Sequence, residues 1–426
     1  MAIGVSKNVR HSVVVSLVGT TLVWYDFYLY VGASAVVFHH QFFPYLSPFA
    51  ETLAAVGLYG AGLVARPVGG VLFGRLGDRR GRRPALVTTL LLTGTATGLI
   101  ALLPSYAQAG LFAPLALVAL RLLQGLGLGG AWGAAAVVAV ECSEPERRGR
   151  AASWAQIGAP AGNLLAFAVV SAVSALLTPA QFVTWGWRLP FLVSALLVLV
   201  GLWARMRLEE TPAFRALQAS GLQARRPVAE LWQEHRGRLL CVVAVTAGAD
   251  VVLFTFSFSY VLTLLNAGGL SPSAMLVLAV LAPLALIGLI PFFGAVSDRY
   301  GRRRVCLAGT LATAAWAAVF FPLFMAGQLA MTMLACVLGM AAFAAMYAPQ
   351  AALVAEAFPG RVRSSGATVG YQLGGLFGGT LAVFCTSWAT HRFATIAAVP
   401  VYAFAALTVS AAALLASSRL VEGKPA

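Results

Sequence analysis

The chain is short of charge. Only 10% of its 426 residues are Asp, Glu, Lys or Arg, and the acids are the scarcer sign, 14 against 29 bases. With 60% hydrophobic residues and a mean hydropathy of +0.85, this lies far outside the range of a soluble domain of that length. The five cysteines, at 142, 241, 306, 336 and 385, are odd in number and scattered, and none has the spacing of metal ligands, so they read as small packing residues. No phosphate loop of the Gly-x-x-x-x-Gly-Lys-Ser/Thr type is present, which argues against an ATP-driven pump, and no Gly-x-Ser-x-Gly or His/Cys cluster suggests an enzyme. The apolar runs lack the alternation of a barrel strand, which leaves helices as the form that satisfies every backbone group in lipid.

What is present is a set of apolar runs of about 20 residues, each long enough to cross a hydrocarbon core of about 30 Å. The net charge of +15 does not point to nucleic acid, because the bases are confined to the chain ends and to every second loop. Only Arg66, Arg121, Arg188 and Arg392 fall elsewhere. That asymmetry predicts cytoplasmic termini and an even number of spans. The first apolar run is too long for a cleavable signal peptide.

The basic stretch Gly74-Arg-Leu-Gly-Asp-Arg-Arg-Gly-Arg-Arg83 returns half a chain later as Gly294-Ala-Val-Ser-Asp-Arg-Tyr-Gly-Arg-Arg303. Glu141, Gln156 and Gly158 are answered at a similar offset by Glu356, Gln372 and Gly374. Two copies of one unit predict an all-α integral membrane protein of twelve transmembrane helices in two six-helix bundles. The expected bundles are residues 1–204 and 239–426, joined by a partly helical cytoplasmic linker over 205–238 that holds seven arginines and four glutamates.

A charge at the centre of a helical span costs at least about 2.5–3.5 kcal/mol, so it faces the protein interior and is a functional candidate. Four residues qualify: Asp26, Arg66, Arg121 and Asp250. An Asp–Arg pair that opens when substrate takes the Arg would let the Asp accept a proton. Asp26, Arg121 and Asp250 are therefore the proton-coupling candidates, with a fixed Asp26–Arg121 ion pair as the bland alternative. Arg66 and Arg121 are the candidate carboxylate clamps; for Arg66 a helix-end or snorkelling contact is the alternative. Tyr25, Tyr28, Gln124, Phe254, Tyr347, Tyr371 and Gln372 could line the same cavity or simply pack. Gly158-Ala-Pro160 with Gly162 predicts a bend in the fifth span. At the hairpins, Asp78, Arg79, Arg82, Asp298, Arg299, Arg302, Glu141 and Glu356 are gate candidates. Positive-inside topology accounts for the arginines but not for the aspartates.

These residues resemble the major facilitator superfamily. Gly74-x-Leu76-x-Asp78-Arg79-x-Gly81-Arg82-Arg83 is similar to its hairpin signature, and Arg121-x-x-Gln124-Gly-x-Gly-x-Gly129 to its fourth-span signature. A closer likeness, to the metabolite–proton symporters within it, rests on several further stretches. These are Trp24-Tyr-Asp-Phe27, Ala65-Arg-Pro-Val-Gly-Gly70, Gly129-Gly-Ala-Trp-Gly133, Trp185-Gly-Trp-Arg-Leu-Pro-Phe191, Glu210-Thr-Pro-Ala-Phe214, Glu356-Ala-Phe-Pro359 and Arg363-Ser-Ser-Gly-Ala367. That family includes shikimate, α-ketoglutarate, citrate and proline/betaine permeases. The resemblance implies alternating access in the cytoplasmic membrane and import of a small carboxylate or zwitterion, an organic acid above all, by a single chain. Protons would be the coupling ion, with no cofactor, metal or nucleic-acid partner. Two acids of the family pattern are replaced, by Val23 and Ala131, which leaves coupling to Asp26 or Asp250, or leaves an uncoupled uniporter or exporter. A non-transporting sensor is the remaining reading, weakened by the short linker and tails.

Overall fold

The computed structural model describes residues 7–44, 48–254, 272–325, 329–382, 385, 388, 392 and 398–417. Among these the structure is helical with no strand. The main helices of the first half are α1 (Lys7–Ala33), α2 (Pro48–Arg80), α3 (Arg82–Ala101), α4 (Phe112–Glu141), α5 (Arg148–Gln156), α6 (Gly158–Leu176) and α7 (Arg188–Met206). Two short helices follow, α8 (Pro212–Ala219) and α9 (Pro227–Glu234). The second half holds α10 (Arg236–Phe254), α11 (Pro272–Tyr300), α12 (Arg302–Met325), α13 (Leu329–Tyr347), α14 (Gln350–Glu356), α15 (Arg363–Gly375) and α16 (Ala398–Ala416).

Eight stretches among the described residues are long and apolar enough to cross a membrane, from His11–Ala33 to Leu334–Glu356. Their outer faces leave large apolar side chains exposed, Leu196, Leu199 and Trp203 on α7 and Leu281, Leu284 and Phe292 on α11 among them. That is the surface of a helix solvated by lipid, not by water. The expected continuation of the seventh span past Phe254 lies outside the described residues.

Each basic hairpin is a helix–glycine–helix joint. Gly81 (φ 116°) separates α2 from α3, and Gly301 (φ 93°) separates α11 from α12. A side chain is strained at such φ, so glycine is what lets one long helix reverse into the next. The fifth span breaks between α5 and α6 at Ile157, beside the expected Gly158-Ala-Pro160 bend.

The halves meet through α2 and α4 against α15, and through α5 and α6 against α11. The linker boundary differs from the sequence expectation. α7 runs to Met206, and Arg205 is buried inside the first half rather than solvated in the linker. Its guanidinium lies against Gly19 and donates to the carbonyl of Leu86.

Candidate functional site

At the basic end the two halves are tied by a pair of matching latches. Asp78, beyond the apolar part of α2, accepts the backbone N–H groups of Ser364 (2.9 Å) and Ser365 (2.8 Å) in the first turn of α15. Asp298 on α11 does the same to Gly149 (2.7 Å) and Arg150 (2.9 Å) in the first turn of α5. A helix start offers free N–H donors and the positive end of the helix dipole, so each carboxylate completes a helix of the opposite half.

Behind each aspartate stands an Arg–Glu pair. Arg82 lies 3.3 Å from Asp78 and binds Glu141 through Nε and Nη2, both at 3.1 Å. Glu141 also accepts from Arg363 (3.1 Å) and from Thr211 (2.6 Å), and Arg82 donates to the carbonyl of Gly360 in the other half at 2.7 Å. In the second latch Arg302 lies 3.2 Å from Asp298 and 3.3 Å from Glu356, and Glu356 faces Arg148 at 3.7 Å. Burial pushes Asp78 up to about 6, against the pull of Arg82 and the two amides. Arg79 and Arg299, grouped with the gate from sequence, are exposed and lie outside both latches.

The linker fastens the first latch. Glu210 accepts from the backbone N–H of Arg82 (2.9 Å) and of Arg83 (3.2 Å), and the Phe214 ring lies 5.0 Å from the Arg82 guanidinium. Further along, Arg361 pairs with Glu230 (2.6 Å) and Glu234 (3.0 Å) of α9. Burial and the nearby Arg238 push the pKa of His235, beside this pair, downward.

Above the latches, polar groups from both halves converge. Arg66 on α2 is 4% exposed, too buried to snorkel, and its Nε donates to Gln372 of α15 at 2.9 Å. Gln372 donates in turn to the carbonyl of Gly129 at 2.8 Å. Its repeat counterpart Gln156 reaches the other way, donating to the Tyr347 carbonyl at 2.9 Å and accepting from Trp132 Nε1 at 2.7 Å. The Trp132 ring stacks on Tyr371, with centroids 3.6 Å apart and planes at 13°. Asp250 of α10 faces Arg66 without forming an ion pair, and neither carboxylate oxygen has a hydrogen-bond partner among the described residues. Arg66 Nη1 has none either. Gly375 borders both charges: a methyl there would stand 3.0 Å from Asp250 Oδ2 and 3.5 Å from Arg66 Nη2. Tyr28, Tyr347 and Tyr371 border this cluster. Phe254 closes against Phe27 of the first half, centroids 6.1 Å apart.

Asp26 is buried inside the first half, while Arg121 lines a small cavity together with Arg66, Phe27 and Gln124; a hydrogen-bonded chain, in place of the expected direct ion pair, links the two. Asp26 accepts from Thr97 (3.0 Å) and from Ser194. Thr97 accepts from Gln124 (2.8 Å), whose carbonyl accepts from Arg121 at 2.5 Å. Arg121 lies over the Tyr30 ring, 3.7 Å from its centroid. Two polar side chains therefore stand between acid and base, at positions a list of charges does not flag. Tyr25 is turned into this bundle too, donating to the carbonyl of Pro190 at 2.7 Å, and so does not join the central cluster. Sequence reasoning singled out neither Thr97, Ser194 nor Trp132 for a polar role. Gln156 was visible only as a repeat partner of Gln372.

The family model described as Major Facilitator Superfamily matches residues 15–369 and 251–425. The chain is 35% identical to the inner membrane metabolite transport protein YhjE of Escherichia coli (strain K12), over 97% of this chain and 95% of that one. It is 36% identical to the shikimate transporter of the same organism, over 95% and 93%. Among solved structures, the proton:xylose symporter XylE bound to 6-bromo-6-deoxy-D-glucose superposes with a TM-score of 0.81 at 18% identity, covering 98% of this chain and 96% of that one. The fold, the duplicated latches and these relatives agree: the chain belongs to the major facilitator superfamily, as a multi-pass membrane transporter of metabolites and not an enzyme.

Proposed function

We propose that this transporter imports a small organic acid together with protons, by alternating access, in the cytoplasmic membrane and with its basic end toward the cytoplasm. The proposed frame is twelve spans in two bundles of six, the first ending with α7 at Met206 and the second spanning 239–426, working as a single chain with no cofactor beyond the coupling ion. One observation carries the reading. Arg66 and Asp250, brought together from opposite halves, are buried at their interface with bonding capacity left over. Carriers built from two repeats bind cargo at that interface, and a guanidinium with a donor to spare suits a carboxylate. Gln372 holds Arg66 in place, and Tyr347, Tyr371 and Tyr28 supply polar and aromatic walls. Asp26, set apart in the first half and linked to Arg121 through Thr97 and Gln124, is the proposed proton site. Asp250 is the other carboxylate placed to accept a proton as cargo arrives.

The relatives support an organic acid as cargo: one is a shikimate transporter, another the α-ketoglutarate permease of Escherichia coli (strain K12). One observation favours uncoupled transport or export instead. Val23 and Ala131 stand where the resemblance expects acids, and both pack in one apolar cluster. Uptake of labelled shikimate, α-ketoglutarate, citrate and proline into proteoliposomes, with and without an inward proton gradient, separates the readings. Accumulation of one acid only with the gradient is the expected result. Equilibration that ignores the gradient would leave the uniporter.

A further inference from the structure

The last turns of α2 carry arginines that the latches do not use. Arg75, Arg79 and Arg80 are exposed, and no carboxylate among the described residues pairs with any of them, although the acids nearest in the fold are all engaged elsewhere. They are not scattered. Leu72, Arg75, Leu76, Arg79 and Arg80 line one cleft of about 290 Å³. Val68, Leu72, Arg75 and Arg79 follow one another at helical spacing, so an apolar stripe runs straight into the basic cleft. Val68 and Leu72 are 54% and 53% exposed, on a helix whose other face is packed against α4 and α15. The second copy of the hairpin lacks this feature. It keeps Arg299 but has Ala295 and Tyr300 where the first copy has Arg75 and Arg80. The shared hairpin geometry therefore does not require the two extra arginines.

We propose that this cleft binds the phosphate headgroup of an anionic phospholipid, with an acyl chain along Leu72 and Val68. Arginine forks match phosphate oxygens in pairs, and the stripe below them is what an acyl chain needs. A soluble anion would gain nothing from Leu72 and Val68. Asp78 and Gly77 lie on the opposite side of the same turn, so a lipid held here sits directly behind the first latch.

The test is native mass spectrometry of the purified full-length protein titrated with phosphatidylglycerol and phosphatidylcholine. The expected result is one retained phosphatidylglycerol, preferred over phosphatidylcholine by at least about fivefold, the worth of one juxtamembrane arginine. Arg75→Ala/Arg80→Ala should abolish that preference. Arg236→Ala/Arg304→Ala, which removes two exposed arginines outside the cleft, should keep it. If the first variant fails to fold, Arg75→Lys/Arg80→Lys decides: charge is kept and the fork lost, so the preference should fall but not vanish. Equal retention of the two lipids, or equal loss in both double-alanine variants, would overturn the proposal. So would displacement of the lipid by millimolar inorganic phosphate, which would make the cleft a soluble-anion site.

Discussion

Asp78 and Asp298 hold the two halves together by one device. Each carboxylate takes two consecutive backbone N–H groups at the start of a helix in the other half, at 2.7–2.9 Å. Their surroundings differ. Asp78 is fully buried with Arg82 and Glu141 and fastened by the linker, whereas Arg302 and Glu356 beside Asp298 are 20% and 25% exposed. Asp78→Asn should therefore weaken closure of the basic end by about 3 kcal/mol, and Asp298→Asn by about 1 kcal/mol. Maleimide labelling of a cysteine introduced by Ser364→Cys reads this directly. It should accelerate strongly with the first substitution and modestly with the second, and equal acceleration would remove the asymmetry.

Arg66→Lys keeps the charge but loses the Nε–H bond to Gln372 and the flat fork. Losing one charge-assisted hydrogen bond costs about 1.5–3 kcal/mol, so the substrate KM should rise at least about tenfold with little change in thermal stability. Gln372→Ala should act in the same direction, because it frees Arg66 to rotate. An unchanged KM in Arg66→Lys would take Arg66 out of contact with cargo.

Asp26→Asn should abolish proton-driven accumulation while leaving exchange of substrate across the membrane. Thr97→Val removes the hydroxyl that links Asp26 to Gln124, and should reduce accumulation in the same way without touching the central cluster. Uptake and counterflow measured side by side in proteoliposomes distinguish lost coupling from lost binding. Full accumulation by Asp26→Asn would make that carboxylate a structural residue.

Two glycines separate a packing role from a binding role. A methyl at Gly129 meets the backbone carbonyl of Arg66, which cannot yield without moving α2. Gly129→Ala should cost about 1–3 kcal/mol as overpacking, seen as a lower Tm. At Gly375 the methyl meets only side-chain ends, Asp250 Oδ2 at 3.0 Å and Arg66 Nη2 at 3.5 Å. Gly375→Ala should fold normally and lose substrate affinity, measured as a raised KM. A fall in Tm as large as that of Gly129→Ala would make Gly375 a packing residue.

Much of this was legible in one dimension because lipid is an exacting solvent. Apolar runs must be helices, basic loops must alternate, and a charge inside a span must be buried in protein, so Asp26, Arg66, Arg121 and Asp250 stand out by their cost alone. The repeat in the hairpins located Asp78 and Asp298 as well, since a topology signal explains arginines but not acids. Partnership was not legible. Asp26 and Arg121 invite a direct pair on charge grounds, yet Thr97 and Gln124 stand between them and Ser194 caps Asp26 from another side; of these only Gln124 belongs to a pattern visible in the sequence. Tyr25 and Tyr28 are three residues apart, and only the rotation of α1 turns one to Pro190 and the other toward Tyr347.

The sequence alone determined the solvent, the helical fold, the duplication and the short set of residues that pay to be where they are. Each follows from local composition and spacing. Only the tertiary structure decided that Arg66 faces Asp250 across Gly375, and that each latch aspartate completes a helix from the other half. The same is true of the linker, whose Glu210 fastens the first latch. Those pairings join residues far apart in the chain, and they depend on helix rotation and on the register between bundles, which no local signal encodes.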